Sequence, residues 1–116
     1  MSIHSASFDH TARLWDADAG TCLHVLRRHT EPVYSITFSP SGHHIATGSF
    51  DKRMCVYDTL TASLVREYKG AGDIFEVVWN GTQIAVCAGN KTVTIVQVGN
   101  LGEGVGKVEG VKTIGV

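Results

Sequence analysis

At 116 residues and 43% hydrophobic, the chain has the length and apolar content of one packed domain. Its net charge of −1 excludes a strong electrostatic pull toward nucleic acid or an anionic membrane surface. No apolar run nears the ~18 residues of a membrane-spanning helix, and residues 1–5 lack the basic and apolar run of a signal peptide.

Cys22, Cys55 and Cys87 form no CxxC pair. Reduced thiols in an intracellular protein are therefore expected, with no metal and no cofactor. Thirteen glycines, many β-branched residues and no 3.6-residue periodicity predict an all-β chain of short strands and tight turns. The first strands are expected at 3–7, 12–15 and 22–26, broken by Phe8-Asp9-His10-Thr11 and by Asp18-Ala19-Gly20. A strand at 33–38 follows, with apolar Val33, Ile36 and Phe38 spaced three and then two apart. A regular strand keeps a period of two, so the extra residue predicts a β-bulge. Ile74, Val77 and Trp79 repeat that spacing 41 residues later. Further strands are expected at 45–49, 54–57, 63–68, 74–79, 83–88 and 93–98. Residues 101–116, with five glycines and no repeat partner, read as a weakly ordered tail. Gly102-Glu103-Gly104-Val105-Gly106-Lys107 is no phosphate loop: Leu101 stands where the first Gly belongs and Val108 where Ser or Thr belongs.

Two stretches organise these elements. Ser49-Phe50-Asp51-Lys52-Arg53-Met54-Cys55-Val56-Tyr57-Asp58 has a twin 42 residues earlier, Ser7-Phe8-Asp9-His10-Thr11-Ala12-Arg13-Leu14-Trp15-Asp16. A weaker copy starts at Ala88-Gly89-Asn90-Lys91. A period of ~40–45 residues with a Trp-Asp ending is the signature of a WD40 β-propeller blade. The chain then reads as an incomplete propeller of about two and a half blades. A partial blade lacking its inner strand spans 1–28, a complete blade 29–69, a partial blade lacking its outer strand 70–98, and the tail 99–116. Since ~4–8 blades close a ring, the chain reads as a fragment of a longer protein.

His29, Thr47, Asp51 and Tyr57 match the WD40 internal hydrogen-bond set of loop His, strand Ser/Thr, turn Asp and Trp. The resemblance implies a relay in which the Asp accepts from the imidazole, the hydroxyl links onward and the aromatic donor closes it. Ser5, Asp9 and Trp15 are the counterparts in the first unit. In the third, Gly70 replaces His and Asn90 replaces Asp. A catalytic reading of His29 and Asp51 is set aside because their spacing follows the blades, and no enzyme is expected. Cys55 has no base beside it in sequence, and His43-His44, on opposite sides of a strand edge, are poor joint metal ligands. Arg27-Arg28 is too short for a nucleic-acid patch.

The chain also resembles, from about residue 5 to 98, the C-terminal blades of transducin-β-like transcriptional corepressor subunits. The block from Ser7 to Asp16, Glu31-Pro32-Val33-Tyr34-Ser35 and Gly48-Ser49-Phe50-Asp51-Lys52 carry the likeness. So, above all, does Gly70-Ala71-Gly72-Asp73-Ile74-Phe75-Glu76-Val77-Val78-Trp79-Asn80. This resemblance implies a nuclear scaffold in corepressor and histone deacetylase assemblies, whose partners are other proteins or peptides, histone tails among them. A WD40 substrate receptor of another complex, such as a ubiquitin ligase, or a truncated product without its own function, are the alternatives. On similar propellers the partner-facing rim uses the residue before the turn Asp and the one after the first strand valine. Here these are Phe8, Phe50 and Gly89, and Tyr34 and Phe75, with Glu31 as a carboxylate for a basic peptide.

Overall fold

The computed structural model describes residues 2–6, 9–99, 101 and 106–115, and the side chains of 9–99, 101 and 108–114. Twelve strands follow one another, with no helix among the described residues: β1 (Ser2–Ala6), β2 (Ala12–Asp16), β3 (Thr21–Leu26), β4 (Val33–Phe38), β5 (His44–Ser49), β6 (Arg53–Asp58), β7 (Leu64–Lys69), β8 (Ile74–Asn80), β9 (Gln83–Ala88), β10 (Thr92–Gln97), β11 (Gly106–Lys107) and β12 (Gly110–Gly115). They form three sheets, ordered β1-β2-β3, β4-β5-β6-β7 with β11 beyond β7, and β8-β9-β10-β12. Successive strands within each repeat are antiparallel neighbours.

Repetition extends to backbone detail. His10, Lys52 and Lys91 all have φ between 61° and 73°, at the same turn position of the three units. Asp16 and Asp58, the closing residues of the motif, each accept two backbone N–H groups from the following turn, those of Asp18 and Ala19 and of Leu60 and Thr61. These donors hold both carboxyls below the usual aspartate range, against slight desolvation. That is the physical use of the closing Asp: it ties off the strand and starts the return.

The expected bulge is present twice. Pairing of β4 with β5 slips between Val33 and Ser35, and that of β8 with β9 between Ile74 and Glu76. The residues skipped are Tyr34 and Phe75. Both stay exposed, while Val33, Ile74 and Val77 point into the core.

The last unit departs from expectation. β12 pairs with β10 from Thr92↔Gly115 to Gln97↔Gly110, so the third sheet has its fourth, outer strand. Leu101 and Val108 pack on the core, and β11 runs parallel to β7. The cause is the edge itself: β10 without a neighbour would leave a row of unpaired N–H and C=O groups. The Val, Thr and Ile of Gly110-Val111-Lys112-Thr113-Ile114 suit a strand, and the glycines around them masked that signal.

Two apolar seams join the sheets. Ala12, Leu14 and Leu26 meet Ile45, Cys55 and Tyr57 between the first and second. Ala46, Met54, Val56 and Val65 meet Ile74, Val77, Ile84 and Val86 between the second and third. Gly48 is needed in the second seam, because a Cβ there would lie 2.5 Å from Ile74 Cγ2 and 3.0 Å from Val77 Cγ1. Gly48→Ala should cost about 1–3 kcal/mol by overpacking. Thermal denaturation reads this directly, and an unchanged melting temperature would mean that the seam yields freely.

Candidate functional site

The second unit places its polar residues in one buried line. β5 carries Thr47 inward, the β5–β6 turn carries Asp51, and the loop before β4 brings His29 between them. Nδ1 of His29 lies 2.9 Å from Oδ2 of Asp51, and Nε2 lies 2.5 Å from Oγ1 of Thr47. The side chains of His29 and Asp51 are only 1% and 2% exposed. Asp51 also accepts the backbone N–H groups of Thr30 and Arg53, at 3.0 and 2.9 Å. Ser49 extends the ties: its hydroxyl donates to the Glu31 carbonyl at 2.9 Å and accepts the Asp51 N–H at 3.1 Å.

Electrostatics fix the protonation states. Burial pushes the Asp51 carboxyl up, but the N–H donors of Thr30 and Arg53, and then His29, outweigh it and hold the carboxyl below the usual range. Burial pushes His29 down, and this outweighs the upward pull of Asp51. The pair is therefore a carboxylate and a neutral imidazole, with Nδ1–H donating to Asp51 and Nε2 accepting from the Thr47 hydroxyl.

Tyr57 stands at the inner end of this line. Its hydroxyl is buried and makes no hydrogen bond of good geometry among the described residues; burial pushes it up, while Thr47 and the Arg28 backbone lie near enough to pull it the other way. A phenol carries its donor at the far end of the ring, whereas an indole N–H sits on the ring's side, so the two reach different points. In the first unit Asp9 is local: its Oδ1 accepts the N–H of Thr11 at 3.0 Å and also its hydroxyl. Trp15 is half-buried, and the side chains of Ser5 and Phe8 lie outside the described residues. In the third unit Asn90 accepts the Thr92 hydroxyl at 2.6 Å. Gly70, Val86 and Asn90, the counterparts of His29, Thr47 and Asp51, line a cavity of about 50 Å³.

Above the buried line lies an aromatic cluster. Tyr34 and Phe50 stack at 4.0 Å between ring centroids, and Phe75 meets Phe50 edge-on at 4.9 Å and Tyr34 at 5.9 Å. Tyr34 is 40% and Phe75 49% exposed, with Phe50 half-buried between them. Gly89 makes room, since a Cβ there would approach the Phe75 ring to 2.8 Å. Glu31 is exposed beside Pro32, whose carbonyl accepts the Phe50 N–H at 3.1 Å.

One cluster was not read from the sequence. Glu67 on β7 pairs with Arg28 at 2.8 Å and lies 3.6 Å from Arg53, which in turn lies 3.8 Å from Asp51. Only the Cys55↔Glu67 register could have signalled it. Burial, with Glu67 and Asp51 beside it, pushes the Cys55 thiol far up, so that thiol stays protonated and is a poor nucleophile. Among the described residues no group of three His, Cys, Asp or Glu could hold a metal ion, and no helix is long and apolar enough to cross a membrane.

Comparison with known proteins agrees with this geometry. The family model described as WD domain, G-beta repeat matches residues 20–58. Residues 20–58 therefore carry a WD40 repeat. The chain is similar to the human F-box-like/WD repeat-containing protein TBL1Y, 48% identical over 97 residues that take in 82% of this chain and 19% of that protein. The WD40 repeat-containing protein HOS15 of Arabidopsis thaliana is 44% identical over 97 residues, 82% of this chain and 16% of that protein. The chain thus spans less than a fifth of the length of these relatives. Among solved structures, the β-propeller domain of Myceliophteria thermophila Cps50 (Swd1) matches with a TM-score of 0.78 at 19% identity, over 85% of this chain and 33% of that one. That match shows the fold, a β-propeller portion whose three sheets close no ring among the described residues.

Asp51→Ala should destabilise the chain by about 1–3 kcal/mol, because His29 and two backbone donors lose a buried partner; a variant melting with wild type would remove the relay from the stability of the unit. The pH dependence has a definite sign. His29 is harder to protonate when folded, so its contribution is full above 6.5 and is lost as the pH falls below that value. His44, also lowered by burial, acts in the same sense. Stability should decline below pH 6.5 and decline less steeply in His29→Asn; equal slopes in denaturant titrations would contradict the assignment.

Proposed function

We propose that this chain is a protein-interaction scaffold, not an enzyme, and a portion of a transducin-β-like subunit of nuclear corepressor and histone deacetylase assemblies that regulate transcription. The carrying observation is the rim cluster of exposed Tyr34 and Phe75 with half-buried Phe50 between them, held on a framework of buried hydrogen bonds. Rigid aromatic side chains gathered at one rim are the anchors that protein interfaces favour. Similarity to the TBL1Y protein over 82% of the chain supports the assignment within the family. The partners are other proteins or peptides: corepressor and deacetylase subunits, and basic segments such as histone tails, for which Glu31 supplies a carboxylate. Nothing in the net charge favours direct binding of nucleic acid or membrane.

Affinity capture from nuclear extract tests this reading. Deacetylase subunits should be retained by wild type and lost with Phe50→Ala. For a purified partner, Phe50→Ala should raise Kd roughly tenfold, as truncating an interface anchor costs about 1–2 kcal/mol or more. Capture of ubiquitin-ligase subunits instead would move the chain to another WD40 complex. Unchanged binding with a large fall in melting temperature would make Phe50 a packing residue.

A further inference from the structure

The loop between β3 and β4 holds a hydroxyl that neither the relay nor the aromatic cluster uses. It runs Arg27-Arg28-His29-Thr30-Glu31-Pro32 and joins the first sheet to the second. Arg27, Thr30 and Glu31 are exposed. Hydroxyls in comparable places are tied: those of Thr11, Ser49, Thr59 and Thr92 all reach acceptors. The Thr30 side chain makes no hydrogen bond among the described residues; only its N–H is held, by Asp51 at 3.0 Å. The next two residues are fixed to the β5–β6 turn as well. The Glu31 carbonyl accepts from the Ser49 hydroxyl at 2.9 Å, and the Pro32 carbonyl accepts the Phe50 N–H at 3.1 Å. A free hydroxyl is thus presented at a set place on the rim.

We propose that Thr30 is a phosphoacceptor for arginine-directed serine/threonine kinases, guarded by the His29–Asp51 contact. Arginines three and two residues before a hydroxyl are the charge pattern such enzymes select, the guanidinium groups being held by carboxylates of the kinase cleft. Transfer forms a bond from Thr30 Oγ1 to the γ-phosphorus of ATP and breaks the bond from that phosphorus to the bridging oxygen. ADP leaves, and the hydroxyl proton passes to the kinase's catalytic carboxylate. Arg27 is exposed and makes no ion pair among the described residues, so it is ready to be held. Arg28 has to exchange Glu67, 2.8 Å away, for the carboxylates of the kinase.

His29 is the obstacle. Entry into a kinase cleft needs an extended segment, and His29 is bound to Asp51 and Thr47. The loop is therefore a substrate only in its locally opened form, and the relay sets how often that form arises. Once attached, the phosphate brings about −1.5 to −2 charges to the rim at neutral pH, beside Glu31 and close to the Tyr34–Phe50 stack. The site stands apart from the scaffold reading, since it needs no bound partner.

The catalytic subunit of cAMP-dependent protein kinase, with ATP and magnesium, tests this on the folded 116-residue chain, the phosphate being located by fragment mass spectrometry. One phosphate on Thr30 is expected. Arg27→Gln should slow its appearance roughly tenfold or more, the weight of a charged hydrogen bond. Asp51→Asn and Thr47→Val each keep the shape of the side chain they replace while weakening the hold on His29. Both should be labelled roughly fivefold faster or more, the weight of one buried hydrogen bond; Thr47→Val decides the matter if Asp51→Asn fails to fold. Labelling confined to other hydroxyls, or none at all, would overturn the proposal. Equal rates in wild type and the relay variants would overturn it too, since His29 would then guard nothing.

Discussion

A buried carboxylate facing a neutral imidazole holds this structure in register. Asp51 lies in the β5–β6 turn and His29 in the loop before β4, so their contact joins the two ends of the second sheet's inner hairpin. An isolated carboxylate could not be buried without large cost. Two backbone N–H groups and the imidazole offset that cost, and the turn and the loop are thereby fixed against each other. Thr47 carries the tie into β5, and Ser49 adds a second link to the loop carbonyl of Glu31. Hydrogen bonds of this kind contribute little individually but are costly to break on one side only.

The same framework positions the surface. Phe50 immediately precedes Asp51, and Tyr34 is the residue displaced outward by the bulge at the start of β4. Fixing turn against loop brings these rings into a stack. Phase repeats one sheet later: the bulge at Phe75 turns that ring toward Phe50, and Gly89 keeps the space open. Core packing thus sets the rim, because Val33, Ile74 and Val77 can be buried only if the intervening bulge residue faces out. In the third unit, where the polar set is replaced by Gly70, Val86 and Asn90, a small cavity takes the place of the relay. The aromatic rim spans both kinds of unit, so it needs the relay on one side only.

Much of this was legible in the sequence because repetition makes the same physical demand several times. The 42-residue twin located the turns, and the three-then-two spacing of Val33, Ile36 and Phe38 located a bulge that hydrogen-bond register displays. Three features escaped. Tyr57 resembles Trp in bulk, but its buried hydroxyl makes no hydrogen bond of good geometry among the described residues, and reach is not a property of a one-letter pattern. β12 was hidden because its demand comes from the free edge of β10 rather than from its own glycine-flanked composition. The Arg28, Glu67 and Arg53 cluster depends on cross-strand register between β6 and β7, which single-strand periodicity does not specify.

The central claim is that His29 acts as a fixed, uncharged structural link between Asp51 and Thr47, on which the rim is built. Long-range proton–nitrogen correlation of the His29 ring by NMR measures this most directly. The Nδ1–H tautomer with an unprotonated Nε2 is expected at neutral pH, persisting below the 6.5 of an ordinary histidine. A ring carrying its proton on Nε2, or one titrating freely at that ordinary value, would contradict the link and leave the aromatic rim without the framework assigned to it.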